Sequence, residues 1–499
     1  MLFNSLSFLL YFPVVTVLYI LLPRMLRLPW LLAASYFFYM CWNPRYAALI
    51  ALSTVLTWLS GLALGRLAKT DTRRRKAVVA VCFAANLGIL AFFKYAGFFL
   101  ENIAALAGAV GLSFVPPTLN VLLPVGISFY TFQALSYTVD VYRGDIEPEK
   151  NLMRYALFVS FFPQLVAGPI ERSGSLLRQI QKAPAMTRRQ LLDYERIAGG
   201  LTLMAWGFFL KMVIADRVSI LVDTVFGSYF GYHSFALLLG ALGFSLQIYC
   251  DFSSYSTIAI GAAQVLGFTL MENFDTPYLA RSVPEFWRRW HISLSTWFRD
   301  YLYIPLGGNR CSKLRHYANI LITFLVSGLW HGANWTYVIW GGLHGVYQII
   351  GKELRPVKDR LNARLGVKTG SFSHKLGQTL VTFGLSSFAF IFFRADTVGV
   401  ALGYIARMLT KWDPWALSDG TLYTLGLDRS EWNVLFIALL VLLVVDLLKY
   451  RTGKRIDVFL REQSLWFRWL CVGGLVLAVV IFGEYGLGFD AKQFIYFQF

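Results

Sequence analysis

Charged residues are missing from four long stretches of this chain: 1–23, 46–65, 224–250 and 317–351. A helix needs about 20 predominantly apolar residues to cross a bilayer. Each stretch is long enough, and 317–351 has room for two spans with a break at Gly332-Ala333-Asn334. Further apolar segments lie near 28–44, 78–100, 121–142, 152–170, 200–215, 252–271, 376–393, 432–446 and 469–483. Together they predict about ten to twelve membrane segments, the short or Gly/Pro-interrupted ones entering and returning or lying flat. The first apolar run lacks a basic flank and a small-residue cleavage site, so it reads as a retained span. With no fixed-period repeat and no low-complexity linker, residues 1–499 are expected to form a single all-α polytopic membrane domain.

Residues 272–316 break the pattern, being too charged to cross a bilayer and too aromatic for a solvated loop. Phe286, Trp290, Leu294, Trp297 and Phe298 recur at helical spacing, with Arg288, Arg289, Arg299 and Asp300 at the polar positions. Ser282 is placed to cap this helix, with Pro284 and Glu285 in its first turn. Pro305-Leu306-Gly307-Gly308 is placed to end it. The pattern predicts one amphipathic helix lying in the membrane interface.

Composition agrees: 57% of residues are hydrophobic, 15% are charged and the mean hydropathy is +0.55. A soluble domain carries about 25% charged residues. The net charge of +18 comes from clusters at 66–76, 172–196, 281–315, 352–368 and 449–461. In a membrane protein such clusters are expected on the cytoplasmic side, among anionic lipids, and no fold that reads nucleic acid accompanies them. The five cysteines show no ligand or disulfide spacing and are expected to be buried.

Six histidines are present. His331 lies between two apolar segments, with Trp330 before it and Asn334 three residues on, and His344 follows on the next span. An ionisable group at membrane depth is costly and marks a pathway or a site by default. An imidazole is also the side chain suited to take a proton at neutral pH. His291, beside Trp290, falls in the amphipathic segment, whereas His233 and His374 read as interfacial and His316 borders a basic loop. No metal-ligand spacing, P-loop or nucleophile elbow is found. Asp140, Asp251, Lys94 and Lys211 also interrupt apolar segments, and two readings stand beside each other: an ion path, or residues snorkelling at span ends. Asp251, among Ser253, Ser254 and Tyr255, is the best placed of them.

The segments FWRRWHISLSTWFRDYLYIPLGGNR and SGLWHGANWTYVIWGGLHG resemble the membrane-bound O-acyltransferase family in its bacterial branch. LPVGISFYTFQALSYTVDVYRG, FFPQLVAGPIER, YCDFSSYSTIAIGAAQVLGF and the closing FIYFQF extend the likeness, strongest over residues 85–345. The resemblance implies a helical bundle with a funnel through the membrane, a cytoplasmic acyl donor and an extracytoplasmic acceptor. The family's invariant histidine matches His331 and the second histidine of the branch matches His291. For polysaccharide-modifying members the resemblance implies acetyl-CoA as donor substrate and no bound cofactor. It also implies a separate periplasmic partner of the SGNH esterase type, an exported alginate-like polysaccharide as final acceptor, and the bacterial inner membrane as location.

The chemistry that follows assigns His331 as base for the acceptor hydroxyl, a role worth about 10²–10⁴-fold. The Asn334 side chain or a backbone N–H is placed to hold the oxyanion. His291 orients the thioester or the catalytic ring, with Trp290, Trp330 and Asp251 in the substrate site. Arg288, Arg289 and Arg299 hold donor phosphates, with lipid headgroups as the competing partner. An acyl-histidine relay is the less favoured route. A lipid or lysophospholipid acyltransferase, a D-alanyl transferase and a transporter using Asp140 and Asp251 are the alternatives. The scheme expects the His331 ring to be reachable from both aqueous sides.

Overall fold

The computed structural model describes residues 1–117, 123–485 and 494–495, and every regular element among them is helical. Among the described residues, seven helices are long and apolar enough to cross a membrane: Pro44–Arg66, Thr72–Ala109, Arg188–Gly227, Ser234–Leu266, Phe372–Arg394, Arg429–Thr452 and Leu465–Phe482. Leu6–Leu21 and Val398–Thr410 are shorter apolar helices. The all-α polytopic architecture read from the sequence is what the chain forms. Of the closing FIYFQF, residues 496–499 lie outside the described residues, as do 486–493 of the tail that starts at Glu484.

Contacts divide the chain into two compact units, Met1–Leu201 with Ala259–Met271, and Thr202–Ile258 with Glu272–Phe499. Within the first, the helices Ala47–Arg66 and Ile127–Arg143 approach closely at Gly61, where an added Cβ would meet the Tyr137 ring. Small residues allow such approaches where lipid supplies no hydrophobic drive between helices, and hydroxyls then bond across the gap. Ser60 and Thr138 share a 2.9 Å hydrogen bond, and the Tyr155 hydroxyl donates to Thr57 at 2.7 Å. Asp140 is held here, accepting from Ser173 Oγ at 2.7 Å.

Five helices of the second unit build the site: α1 (Val283–Arg289), α2 (Ile292–Phe298), α3 (Lys313–His331), α4 (Trp335–Arg364) and α5 (Phe372–Arg394). The uncharged run 317–351 becomes α3, the break at 332–334 and the first half of α4. At their crossing, a Cβ on Gly328 would meet the Tyr337 carbonyl, and one on Gly341 the Phe324 carbonyl and the Gly328 backbone. The glycines of SGLWHG and WGGLHG are therefore packing residues that bring His331 against α4.

The amphipathic segment departs from expectation. It is two short helices, α1 and α2, followed by a π-helical turn at Arg299–Tyr303, and not one helix in the interface. Phe286, Trp290 and Leu294 are each 1% exposed, so the aromatic face meets protein instead of lipid. The reason is local. Ser282 caps α1 as expected, accepting from Glu285 N at 3.3 Å, but the backbone turns left-handed at His291 and the helical register is lost. The cysteines also differ: Cys82 and Cys250 are buried, but Cys41 and Cys311 are exposed.

Candidate functional site

His291 occupies the joint between α1 and α2 at φ 44° and ψ 53°. A residue with a β-carbon pays about 1–2 kcal/mol in that region. Asn273 holds it there. Its backbone carbonyl accepts from Ile292 N at 2.9 Å. Its Oδ1 accepts from Ser293 N at 3.2 Å and Ser293 Oγ at 2.9 Å, and lies 3.1 Å from His291 Nδ1. The Ser293 backbone N–H can only donate, which fixes the amide's orientation and makes Oδ1 the acceptor for His291 Nδ1–H, while Asn273 Nδ2 donates to Ser256 Oγ at 3.1 Å. The lone pair of the neutral ring is then on Nε2. Burial pushes the imidazole down to about 3, keeping it neutral. Nothing in the sequence around Asn273 marks it for this role, because the partners come together only in the folded chain.

His331 is the last residue of α3. Its ring centre lies 5.0 Å from Trp330, 4.9 Å from Trp340, 5.4 Å from Phe393 and 6.2 Å from His291. The two histidines, forty residues apart in sequence, are neighbours in the fold. They are 0% and 3% exposed, so the imidazole expected to be open to both sides is enclosed by aromatic rings in this conformation. Extended backbone at Gly332 leads directly from α3 into the Asn334 cap, which leaves the ring packed under the start of α4.

Two cavities approach this pair along α3, α4 and α5. The larger, about 1850 Å³, is lined by the first part of α3, the later part of α4 and the first part of α5, together with α1 and α2. Arg281, Arg288, Arg299, Lys352, Arg355 and Lys358 line it against Glu285 and Asp359. Its wall includes Trp287, Ile292 and Ser327, the last one turn before His331. The smaller, about 290 Å³, lies at the other end of the same helices, beside Asn334, Tyr337 and Phe393. Asp216, Asp223, Asp251 and Asp396 line it against Lys211 and Arg394. One cavity is rich in cations, the other in carboxylates.

The remaining sequence candidates divide. Arg288 and Arg299 line the large cavity. Arg289 is spent elsewhere, on Glu285 at 3.1 Å, Asp275 at 3.0 Å and the face of Tyr450, so it is no part of that wall. Trp290 stacks on Phe286 at 5.4 Å and is packing for α1, while Trp330 touches both histidines. Asn334 cannot serve an oxyanion as it stands: Oδ1 caps α4 through Thr336 N at 3.1 Å and Nδ2 donates to the Asp396 carbonyl at 2.9 Å. Asp251 lines the small cavity and is paired with Lys211 at 2.5 Å, which also meets Asp216 at 3.0 Å. Lys211 is 1% exposed, so it does not snorkel; a π-helical stretch, Phe209–Ala215, turns it inward. Asp251 Oδ2 accepts from Ile495 N at 2.6 Å.

The chain is thus an all-helical, multi-pass membrane protein with two buried imidazoles set between cavities of opposite charge. The chain belongs to the membrane-bound O-acyltransferase family, so it is an acyltransferase. It matches the family over residues 146–365. A probable alginate O-acetylase of Azotobacter vinelandii is 39% identical over 90% of this chain and 85% of its own length. A peptidoglycan O-acetyltransferase of Helicobacter pylori is 34% identical over 76% of this chain and 73% of its own. A teichoic acid D-alanyltransferase of Bacillus subtilis is 29% identical over 46% of this chain and 59% of its own.

Proposed function

We propose that the protein moves acetyl groups from cytoplasmic acetyl-CoA across a bacterial inner membrane for O-acetylation of an exported, alginate-like polysaccharide. The observation that carries this reading is the adjacency of His291 and His331, between a cation-rich cavity and a carboxylate-rich pocket. A donor with several phosphates suits the first. Arg288, Arg299, Lys352 and Lys358 offer it charge-assisted hydrogen bonds, and Arg matches phosphate geometry. The same cations favour a nucleotide thioester over a bare lipid thioester, and the probable alginate O-acetylases among the relatives support acetyl as the group carried.

The carboxylates of the small pocket oppose entry of a polyuronate, whose own carboxylates meet like charge there. An uncharged hydroxyl fits better, which supports a periplasmic SGNH-type partner as immediate acceptor and the polysaccharide as the later one. In the transfer, His331 takes the hydroxyl proton as its oxygen attacks the thioester carbonyl, and the proton then passes to the leaving thiolate. His291, kept neutral by burial and held in one tautomer by Asn273, positions the donor against the His331 ring. Because both rings are enclosed, turnover includes a displacement of the aromatic side chains around them.

Proteoliposomes holding the full chain, given labelled acetyl-CoA outside and a soluble hydroxyl acceptor inside, test this. Label should reach the acceptor in wild type and not in His331→Ala, with palmitoyl-CoA a poor donor. Transfer that survives His331→Ala, or a preference for palmitoyl-CoA, overturns the reading.

A further inference from the structure

With Asn334 engaged as a helix cap, the developing oxyanion needs another donor. Helix α4 places Thr336, Trp340 and His344 four residues apart, on one face. They are 1%, 1% and 0% exposed. Thr336 Oγ1, Trp340 Nε1 and His344 Nε2 each have no hydrogen-bond partner among the described residues. A buried polar group left unsatisfied costs about 1–3 kcal/mol, and here three occur in a row on one helix face.

The chemistry of the row is specific. Trp340 Nε1–H is a donor and never an acceptor. His344 Nδ1 accepts from Trp287 Nε1 at 3.2 Å, so the proton of its neutral ring is on Nε2 and that atom is also a donor. Two N–H groups thus look for acceptors, with the rings of Trp340 and His344 5.2 Å apart and the Trp340 ring 4.9 Å from that of His331. Thr336 lines the small pocket, and Trp287, whose indole His344 holds, lines the large cavity. The row therefore runs from the one cavity to the wall of the other, past the imidazole.

We propose that Trp340 donates the hydrogen bond that stabilises the oxyanion, and that His344 Nε2–H grips the amide carbonyl of the same donor's cysteamine arm. This rests on the acyl-transfer reading above and adds the electrophilic half of the site. The acceptor oxygen forms a new C–O bond at the thioester carbonyl while its proton goes to His331. The carbonyl π pair moves onto oxygen, where Trp340 Nε1–H meets it. When that pair returns, the C–S bond breaks and the thiolate leaves with the proton from His331.

The test replaces Trp340 in the full-length protein with 3-benzothienylalanine, which keeps the fused rings and puts sulfur in place of N–H. Trp340→Phe and His344→Leu are made beside it, and all are assayed in proteoliposomes with acetyl-CoA. The benzothienyl variant should lose about 100-fold in kcat, the usual cost of one oxyanion donor, with donor KM and thermal midpoint unchanged. His344→Leu should raise donor KM more than it lowers kcat. An inert wild-type protein overturns the acyl-transfer reading, and this assignment with it. An active wild type whose benzothienyl variant keeps kcat within about threefold overturns the Trp340 assignment alone.

Discussion

Gly328 and Gly341 meet backbone to backbone where α3 crosses α4, with no space for a β-carbon at either. The contact sets how far His331, three residues beyond Gly328, stands from Trp340. Gly341→Ala forces backbone apart, since its Cβ would press on the Phe324 carbonyl. Overpacking of this kind costs about 1–3 kcal/mol. The thermal midpoint in detergent should fall, and acetyl transfer should fall further than the lost folded fraction explains. Gly384→Ala, whose Cβ meets nothing within 4 Å and which lines neither cavity, is the control and should leave both unchanged.

The buried, neutral His291 makes stability depend on pH. Its value in the fold, about 3, lies below the 6.5 of a free imidazole. The unfolded chain therefore binds the proton first as pH drops. The contribution of the neutral ring is fully present above about pH 6.5 and is lost as pH falls from there towards 3, at up to about 1.4 kcal/mol per pH unit. Thermal midpoints measured from pH 7.5 to 5 should decline in wild type. They should decline less in His291→Gln, and an identical slope in the two proteins counts against this account.

Lys211 and Asp251 form a buried ion pair between two spans, with Asp216 as second anion. Removing one member of a buried pair costs about 3–5 kcal/mol, because the remaining charge has no water to return to. Lys211→Met should sharply lower the amount of folded protein recovered in detergent. Adding Asp251→Asn and Asp216→Asn to it should restore most of that loss. If Lys211→Met is as stable as wild type, the lysine is not carrying the two carboxylates.

Arg288 and Arg289 are adjacent in sequence but should behave differently. Arg288→Ala and Arg299→Ala should each raise the donor KM about two- to fivefold with kcat unchanged, as expected for exposed charges that bind ground and transition state alike. The effect should shrink in high salt. Arg289→Ala should leave KM alone and lower the thermal midpoint, since it opens the links to Glu285 and Asp275.

The linear order of residues was enough for the class of fold and for picking out the two imidazoles that the fold brings together. Uncharged runs of span length oblige the chain to satisfy its backbone internally, and helices do that segment by segment. An imidazole within such a run is conspicuous for the same reason, so His331 was legible and the motif around His291 marked the second ring. What the chain order could not supply was every relationship across it. The aromatic spacing of 284–298 is that of a helix lying on a membrane, and the left-handed turn that buries it depends on Asn273 and Ser256, from other segments. Asn334 has the composition of an oxyanion donor, but its amide is claimed by Thr336 and Asp396. Trp340 looks like an ordinary span residue, and His344 is conspicuous only as a second imidazole of the same run, until their neighbours are known. Whether a polar group is spent or available is decided by which partners the tertiary structure brings within hydrogen-bond range, and that distance is not a property of sequence.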